Sequence, residues 1–390
     1  MLLIDLTHTS HTPARTGIQR VARALHQNLG AEAVPVTRDP FVGAWRPLEA
    51  WELANLARSQ GGHKRGAEWP RLAKWRGRLR RTFGRTSRHA VRGEFDGLIV
   101  PELFAARVAR DYPKLFAHVR GPRVALFLDA IPLRFPELTP PGTVARFPAY
   151  LQELLMFDGI AAISEESRDS LGAYWKWLGV PNPPPIVALP LGVDEVKPSV
   201  SAAAPTRSAR PTVLSVGTLE GRKNHLVLLE ACESLWARGV TFDLRVIGHV
   251  NAETGGAAHT RLRALQAAGR PLVFDGPATD ETIREAYARC AFTVYPSIAE
   301  GFGLPVIESL AHGKPCVCSG RGALGEISRH GGCLPLDHLD VTGIASAIER
   351  LLTDSAELAR LSAGAQQRRF KSWADYTLQL TTWMQTVPRR

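Results

Sequence analysis

Tyr295-Pro-Ser-Ile-Ala-Glu300-Gly-Phe-Gly303-Leu-Pro305-Val-Ile-Glu308 is the stretch whose reading decides the fold. A strand over Phe292–Tyr295 is predicted to stop at Pro296, with a glycine-bearing loop and then a helix to follow. Pro305 suits the first helical position, where its missing N–H costs nothing. Gly303 and Leu304 then present backbone N–H groups at a helix N-terminus, where the macrodipole favours an anion. Glu308 is expected in the first turn of that helix and Glu300 in the loop ahead of it. Two carboxylates around an anion-ready helix end suit a ligand that offers hydroxyls to the acids and a phosphate to the amides. Taken singly, each acid has a plainer reading: Glu308 complements the helix dipole and Glu300 is a solvated loop residue.

A second element of the same kind is Gly217-Thr-Leu-Glu-Gly-Arg222-Lys223-Asn224-His225, between a predicted strand and a predicted helix. Asn224 is a good N-cap, which puts Arg222 and Lys223 at the positive end of the coming helix. Cations there conflict with the dipole unless something negative lies between them. A diphosphate answers that conflict, with Arg222 binding it through two N–H groups and Lys223 acting as a point charge. The alternative is a pair of solvated surface cations.

Outward from these two loops the chain alternates short apolar runs with helical periods. Strands are expected at Thr212–Val216, Phe242–Ile247, Leu272–Phe274 and Pro315–Cys318, and helices at His225–Ala237, His259–Ala268, Glu281–Ala288, Val306–His312 and from Val341 on. The first half reads likewise, with strands at Leu2–Leu6, Gly97–Val100, Val124–Leu128, Gly159–Ile163 and Ile186–Leu189. Helices are expected there at Gly17–Leu29, Thr143–Met156 and Glu165–Leu178. Such alternation implies α/β architecture with parallel sheets covered on both faces. At 390 residues the chain suits two such doubly wound, Rossmann-like domains. The expected division is 1–196, a Ser/Ala/Pro-rich linker at 197–211, a second domain at 212–372, and a last helix at 373–390 that packs back on the first domain. Ligands of such sheets bind at the carboxyl ends of the strands, here in a cleft between the domains.

Composition excludes several classes. The chain is 45% hydrophobic and 22% charged, as soluble globular proteins are. No window approaches 18 uncharged apolar residues, and Met1–Thr7 meets Asp5 too soon for a signal peptide, so it reads as a first strand. The five cysteines are expected to be reduced, as in a cytoplasmic protein. Cys316-Val-Cys318 would share one face of a strand, and with no second pair or His cluster nearby they read as core, with no metal site.

The net charge of +11 is concentrated between Lys64 and Arg92, where eleven cations face Glu68 alone. Trp69, Leu72, Trp75, Leu79 and Phe83 recur there at spacings of three and four. On a helix they form an apolar stripe flanked by arginines, the pattern of an interfacial helix on anionic lipid. A basic helix packed on its own domain and a nucleic-acid patch are the other readings. The membrane surface is preferred, which makes the protein peripheral on the inner face of a cytoplasmic membrane, with no nucleic-acid partner.

The second half, from about Thr212 to Trp373, resembles the donor-binding domain of the retaining GT-B glycosyltransferases of family 4, the group 1 type. The family's Glu-x7-Glu element matches at Glu300 and Glu308, and its Gly-x4-Arg-Lys-Asn element at Gly217 to Asn224. In the first half Thr16-Gly17-Ile18-Gln19-Arg20 resembles the glycine loop that opens the first helix of the acceptor domain. Asp129-Ala-Ile-Pro-Leu-Arg-Phe-Pro136 resembles the family's His-Asp-Leu-Ile-Pro-Leu stretch, and Ser164 its strand-end Ser. Residues 36 to 95 lie outside the resemblance.

The resemblance implies a metal-independent hexosyltransferase that needs no cofactor besides its nucleotide diphosphate sugar. Glu300 and Asp129 would be catalytic. Glu300, Phe302, Gly303 and Leu304 would hold the sugar and phosphate, Glu308 the ribose, and Arg222 and Lys223 the diphosphate, with Gly17 facing the donor from the other domain. Leu128 stands where the family often has His, so His8 or His11 would have to reach the cleft instead, with Ser164 on the acceptor side. The Glu-Gly-Arg-Lys-Asn variant is most similar to mannosyl- and O-antigen-type transferases, which points to GDP-mannose and a glycan or lipid-linked acceptor. A sugar-nucleotide epimerase on a similar two-domain fold and a non-enzymatic nucleic-acid binder are the alternatives. The first needs an acid/base set that is not identifiable, and the second leaves both glycine loops unexplained.

Overall fold

The computed structural model describes residues 1–14, 16–58, 66–83, 89–194 and 210–390. By their contacts these fall into two units. One comprises Met1–Leu128, Arg146–Gly192 and Trp373–Arg390, the other Asp129–Ala145 and Val193–Ser372. Of the linker expected at 197–211, residues 197–209 lie outside the described residues.

The first unit is built on a seven-stranded sheet. Its strands are β1 (Leu2–Asp5), β2 (Ala33–Asp39), β3 (Ala44–Pro47), β4 (Gly97–Val100), β5 (Arg123–Phe127), β6 (Gly159–Ala162) and β7 (Ile186–Ala188). They lie in the order β3-β2-β1-β4-β5-β6-β7, and every pairing is parallel except β2 with β3. The strands β4 and β6 are buried throughout, which is why they read as unbroken apolar runs and not as alternating ones. The hairpin β2–β3 carried no such run and was not expected. Its pattern is broken by charge, because Asp39 and Arg46 pair inside it at 2.8 Å, both nearly inaccessible. The last helix, Trp373–Thr386, belongs to this unit and packs on the helix Gly17–Leu29.

The second unit has a six-stranded, wholly parallel sheet. Its strands are β8 (Thr212–Val216), β9 (Asp243–Ile247), β10 (Leu272–Gly276), β11 (Phe292–Tyr295), β12 (Cys316–Ser319) and β13 (Cys333–Leu336). The order is β10-β9-β8-β11-β12-β13. The chain thus builds outward from β8 in one direction and then returns to build from β8 in the other. At that switch β8 and β11 are neighbours, so the loops leaving their carboxyl ends emerge side by side. Those loops are the two elements quoted above. Strand β13 and the helix Gly322–Ser328 before it were not anticipated, since Cys333–Leu336 is short and contains Pro335.

One boundary differs from expectation. Asp129–Ala145 groups with the second unit, not with the first 196 residues. Gly221 lies so close to this segment that a Cβ there would stand 3.3 Å from Leu138.

A buried ion pair fastens β5 to the start of β6. The Asp158 carboxylate, fully inaccessible, accepts from the Arg123 backbone N–H and Nε at 2.7 Å and from Nη2 at 2.5 Å. Removing one partner of a buried pair leaves the other desolvated and uncompensated. Asp158→Ala is expected to cost about 3–5 kcal/mol, which for a domain of the size of this unit lowers its Tm by at least about 6 °C. An unchanged Tm by calorimetry would show the pair to be dispensable.

Candidate active site

Strand β8 ends at Val216 and the chain turns at Gly217. Here the absence of a side chain matters: a Cβ would stand 3.3 Å from Cδ of Lys223 and 3.5 Å from its Nζ. The stem of Lys223 therefore lies along the bare backbone. Gly221–Lys223 make one 3-10 turn, and Asn224 enters the helix His225–Ala237 with φ +58°, a conformation Asn tolerates better than most residues. Asn224 occupies the cap position but its side chain caps nothing. Its Nδ2 donates to the Leu339 carbonyl at 2.9 Å, so the capping role expected from sequence is corrected.

On the neighbouring strand, β11 gives way to the loop that ends at Gly303. Gly303 has φ +103°, and a Cβ there would lie 2.5 Å from Leu324 Cδ2 and 2.9 Å from Ile327 Cδ1. Both its conformation and the helix Gly322–Ser328 packed against it require glycine. The helix then runs Leu304–Ala311, so Leu304 and not Pro305 is its first residue. Glu308 is consequently the fifth residue of the helix, one position deeper than expected and just past the first turn. Its Oε2 is 3.4 Å from the Tyr287 hydroxyl, which in turn is 2.9 Å from that of Tyr295. Phe302 and Leu304 are buried. Val306 and Ile307 donate to the Gly303 carbonyl at 3.0 and 3.2 Å and Pro305 has no N–H, which leaves the Leu304 N–H at the helix start without a partner within the helix.

Between the two loops sits Glu300. One carboxylate oxygen accepts from Arg222 Nη1 at 2.5 Å, the other from Lys223 Nζ at 2.7 Å and from Ser297 Oγ at 2.9 Å. Arg222 also pairs with Glu220 at 2.7 Å, and its backbone carbonyl accepts from Ile298 N–H at 2.8 Å. Sequence reasoning invoked a diphosphate to relieve two cations at a helix start. The protein supplies a negative charge itself, so the conflict alone does not demand a ligand. Burial would raise the Glu300 carboxyl, but Arg222 and Lys223 outweigh it and hold it at about 2. Burial likewise opposes the charge on Arg222, and Glu300 with Glu220 raises it above its ordinary value. Asp129, in the same unit, is raised by burial, with the Arg222 charge opposing, and its Oδ1 accepts from the Ile131 N–H at 3.0 Å.

His225 was missed by sequence reasoning. It is buried behind Lys223, and burial together with that cation pushes it down to about 3, so it stays neutral. A His directly after Arg-Lys-Asn was the available signal.

The first unit holds the remaining sequence-predicted residues. His11 does not reach outward: its Nε2 is 2.6 Å from Glu52 Oε1, its Nδ1 is 2.8 Å from the Thr7 carbonyl, and Trp69 stacks on its ring at 3.9 Å. It belongs to a buried network with Arg46 and Asp39, which overturns its acceptor-side role. His8 is only partly buried; its Nδ1 is 3.3 Å from Gln19 Nε2 and its N–H donates to Glu102. Ser164 is buried, and its Oγ caps the helix Glu165–Trp177 by accepting from the Ser167 N–H at 3.1 Å. Gly17 opens the helix Gly17–Leu29, behind a Thr16–Gln19 capping box. Leu128 is buried, and its carbonyl accepts from Ser167 Oγ at 3.0 Å. Glu102 was not foreseen: burial pushes its carboxyl up to about 7 against hydrogen bonds from Thr9, and Asp5 adds to the rise.

The geometry predicts how stability follows pH. Glu300 has its folded value held at about 2, below the ordinary 4.5, so its contribution is present above pH 4.5 and is lost as pH falls toward 2. That difference corresponds to about 3 kcal/mol. Glu300→Gln is expected to lower Tm at neutral pH and to flatten its fall between pH 4.5 and 2. Parallel Tm curves for wild type and variant over that window would contradict the assignment.

Comparison with known proteins agrees with this architecture. Residues 197–368 match the family model described as glycosyl transferases group 1. The serotype-specific mannosyltransferase WbdA of Escherichia coli is 28% identical over 337 residues, covering 81% of this chain and 38% of its own length. The O-antigen chain mannosyltransferase B of Escherichia coli is 33% identical over 169 residues, 43% of each chain. The chain thus spans about two fifths of the length of the curated relatives it matches. Among solved structures, HepE of Anabaena in complex with UDP and glucose superposes with a TM-score of 0.68 at 15% identity, over 99% of both chains. The two sheets are those of the GT-B fold, and residues 197–368 are similar to the group 1 glycosyl transferases.

Proposed function

We propose that the protein transfers a hexose, with retention of anomeric configuration, from a nucleotide diphosphate sugar to a glycan or lipid-linked acceptor. The observation that carries this reading is the cluster of Arg222, Lys223 and Glu300 at the strand-order switch of the second unit, beside the amino end of the helix Leu304–Ala311. In the reaction negative charge builds on the leaving diphosphate as the glycosidic bond breaks. Two preorganised cations and the N–H groups of Gly303 and Leu304 are suited to stabilise that charge without a metal. Glu300 gives up its cations to the diphosphate and turns to the sugar hydroxyls, Glu308 takes the ribose, and Asp129 completes the reacting side. Mannose, as GDP-mannose, is the proposed donor, supported by two relatives named as mannosyltransferases. The UDP and glucose bound by HepE support a nucleotide-sugar donor in general.

The acceptor is proposed to lie on an anionic membrane, where the helix Arg71–Thr82 docks. No helix among the described residues is long and apolar enough to cross a membrane. This helix packs inward through Ala73 and Gly77, where a Cβ on Gly77 would stand 2.7 Å from Phe41. Leu72, Trp75 and Phe83 are left 69%, 61% and 69% exposed. Trp69 is not part of that stripe, since it stacks on His11. Arg76 and Arg80 are paired with Glu49, whereas Arg71, Lys74 and Arg81 have no acid partner among the described residues. Lys64, Arg65, Arg85 and Arg88 lie outside the described residues.

Lys223→Ala is expected to weaken GDP-mannose binding by about 1.5–3 kcal/mol, one charge-assisted contact. Titration calorimetry on folded variant would show it, and unchanged affinity would remove Lys223 from the site. Turnover should survive EDTA; loss restored by magnesium or manganese would refute the metal-free reading. For the membrane, sedimentation with anionic vesicles should fall with salt and fall further in Leu72→Ser/Trp75→Ser. Equal recovery on neutral and anionic vesicles would refute it.

A further inference from the structure

Three of the five cysteines converge at one point of the second unit. Cys316 and Cys318 are two residues apart on β12 and so share a face of the sheet. Strand β13 runs parallel beside it with Cys333 in register with Cys316. The three sulfur atoms all lie within 4.8 Å of one another, in a buried setting, and none is in a disulfide. Read from the sequence, Cys316 and Cys318 lacked a third ligand. The register of β13 provides it.

We propose that Cys316, Cys318 and Cys333 form a three-thiolate site for a thiophilic divalent cation of the zinc class. Three thiolates bound to one zinc at about 2.3 Å stand roughly 3.8–4.0 Å apart, so the present spacing closes on an ion by less than about 1 Å. Charge selects the ion. Arg368 is half-buried and acts electrostatically on Cys333, its Nη1 anchored by the Ile327 and Gly331 carbonyls at 3.0 and 3.1 Å. Three thiolates, one divalent ion and one guanidinium are neutral together, whereas a cuprous ion leaves uncompensated negative charge in the core. Binding releases the thiol protons to solvent. Among the described residues no His, Asp or Glu joins the set, which leaves the fourth zinc position to a water or added thiol. Of the three cysteines Cys333 is the one with measurable exposure, so entry is on its side.

The test uses the full chain, purified under reducing conditions without chelator. Zinc content is measured, and Cd(II) is titrated in as a probe of thiolate coordination by its ultraviolet charge-transfer band. One zinc per chain, a cadmium band of three-thiolate intensity and a Tm raised by zinc are expected. Cys333→Ala should abolish the band and the Tm response, while Cys290→Ala, at a buried cysteine outside the cluster, should keep both. An absent band, a band unchanged in Cys333→Ala, or a Tm insensitive to zinc would overturn the site. If Cys333→Ala does not fold, the wild-type band decides alone, and an intensity below that of two thiolates refutes the proposal.

Discussion

A carboxylate held between two cations organises the second unit. Glu300 comes from the loop after β11, and Arg222 and Lys223 from the loop after β8. Each ion would be costly to bury alone. Together they tie two loops that are far apart in sequence, and the backbone bond from Ile298 to Arg222 reinforces the tie. Much of the local detail follows from it. Gly217 leaves room for the Lys223 stem to lie along its backbone, and Gly303 takes a left-handed conformation where the loop ends against Leu324. The same arrangement favours the charged forms of Glu300 and Arg222. In the proposed reaction an incoming diphosphate would replace the carboxylate without leaving either cation bare.

The first unit solves a similar problem with different residues. Its strand order also turns around β1, which lies between β2 and β4, so the loops after β1 and β4 come together. There Glu102 accepts from the backbone of His8 and Thr9 and fixes the turn ahead of the helix Gly17–Leu29. Behind it, Asp39, Arg46, Glu52 and His11 form a chain of buried polar groups closed by Trp69. Residues 36 to 95, where the family resemblance lapses, contribute most of that chain. The described residues of this stretch act here as structure: they brace the turn and support a helix whose outer face carries Leu72 and Trp75.

The two histidines show how environment overrides residue type. His11 looked available in a polar loop, yet both its ring nitrogens face acceptors inside the unit. His225 looked like an ordinary helix residue, yet it sits buried and neutral against Lys223. No spacing rule separates these cases, because burial is decided by what packs over the loop.

By itself the sequence determined most strands of both sheets, their parallel sense and the two glycine loops. Buried parallel strands are continuous apolar runs, and a turn that needs glycine or proline admits few substitutes. It also singled out Glu300, Arg222 and Lys223, since acids and cations at helix starts are conspicuous. Only the tertiary structure decided what these residues do to one another. The pairing of Glu300 with both cations follows from β8 lying beside β11, a fact of strand order that no local pattern encodes. The same holds for Arg38 of the hairpin β2–β3, whose acid partner is Asp111, and for Cys333, which meets Cys316 only through the register of β13. Local chemistry is written in neighbouring residues. Partners fifteen to eighty positions apart are set by topology, and through it by the burial of each side chain.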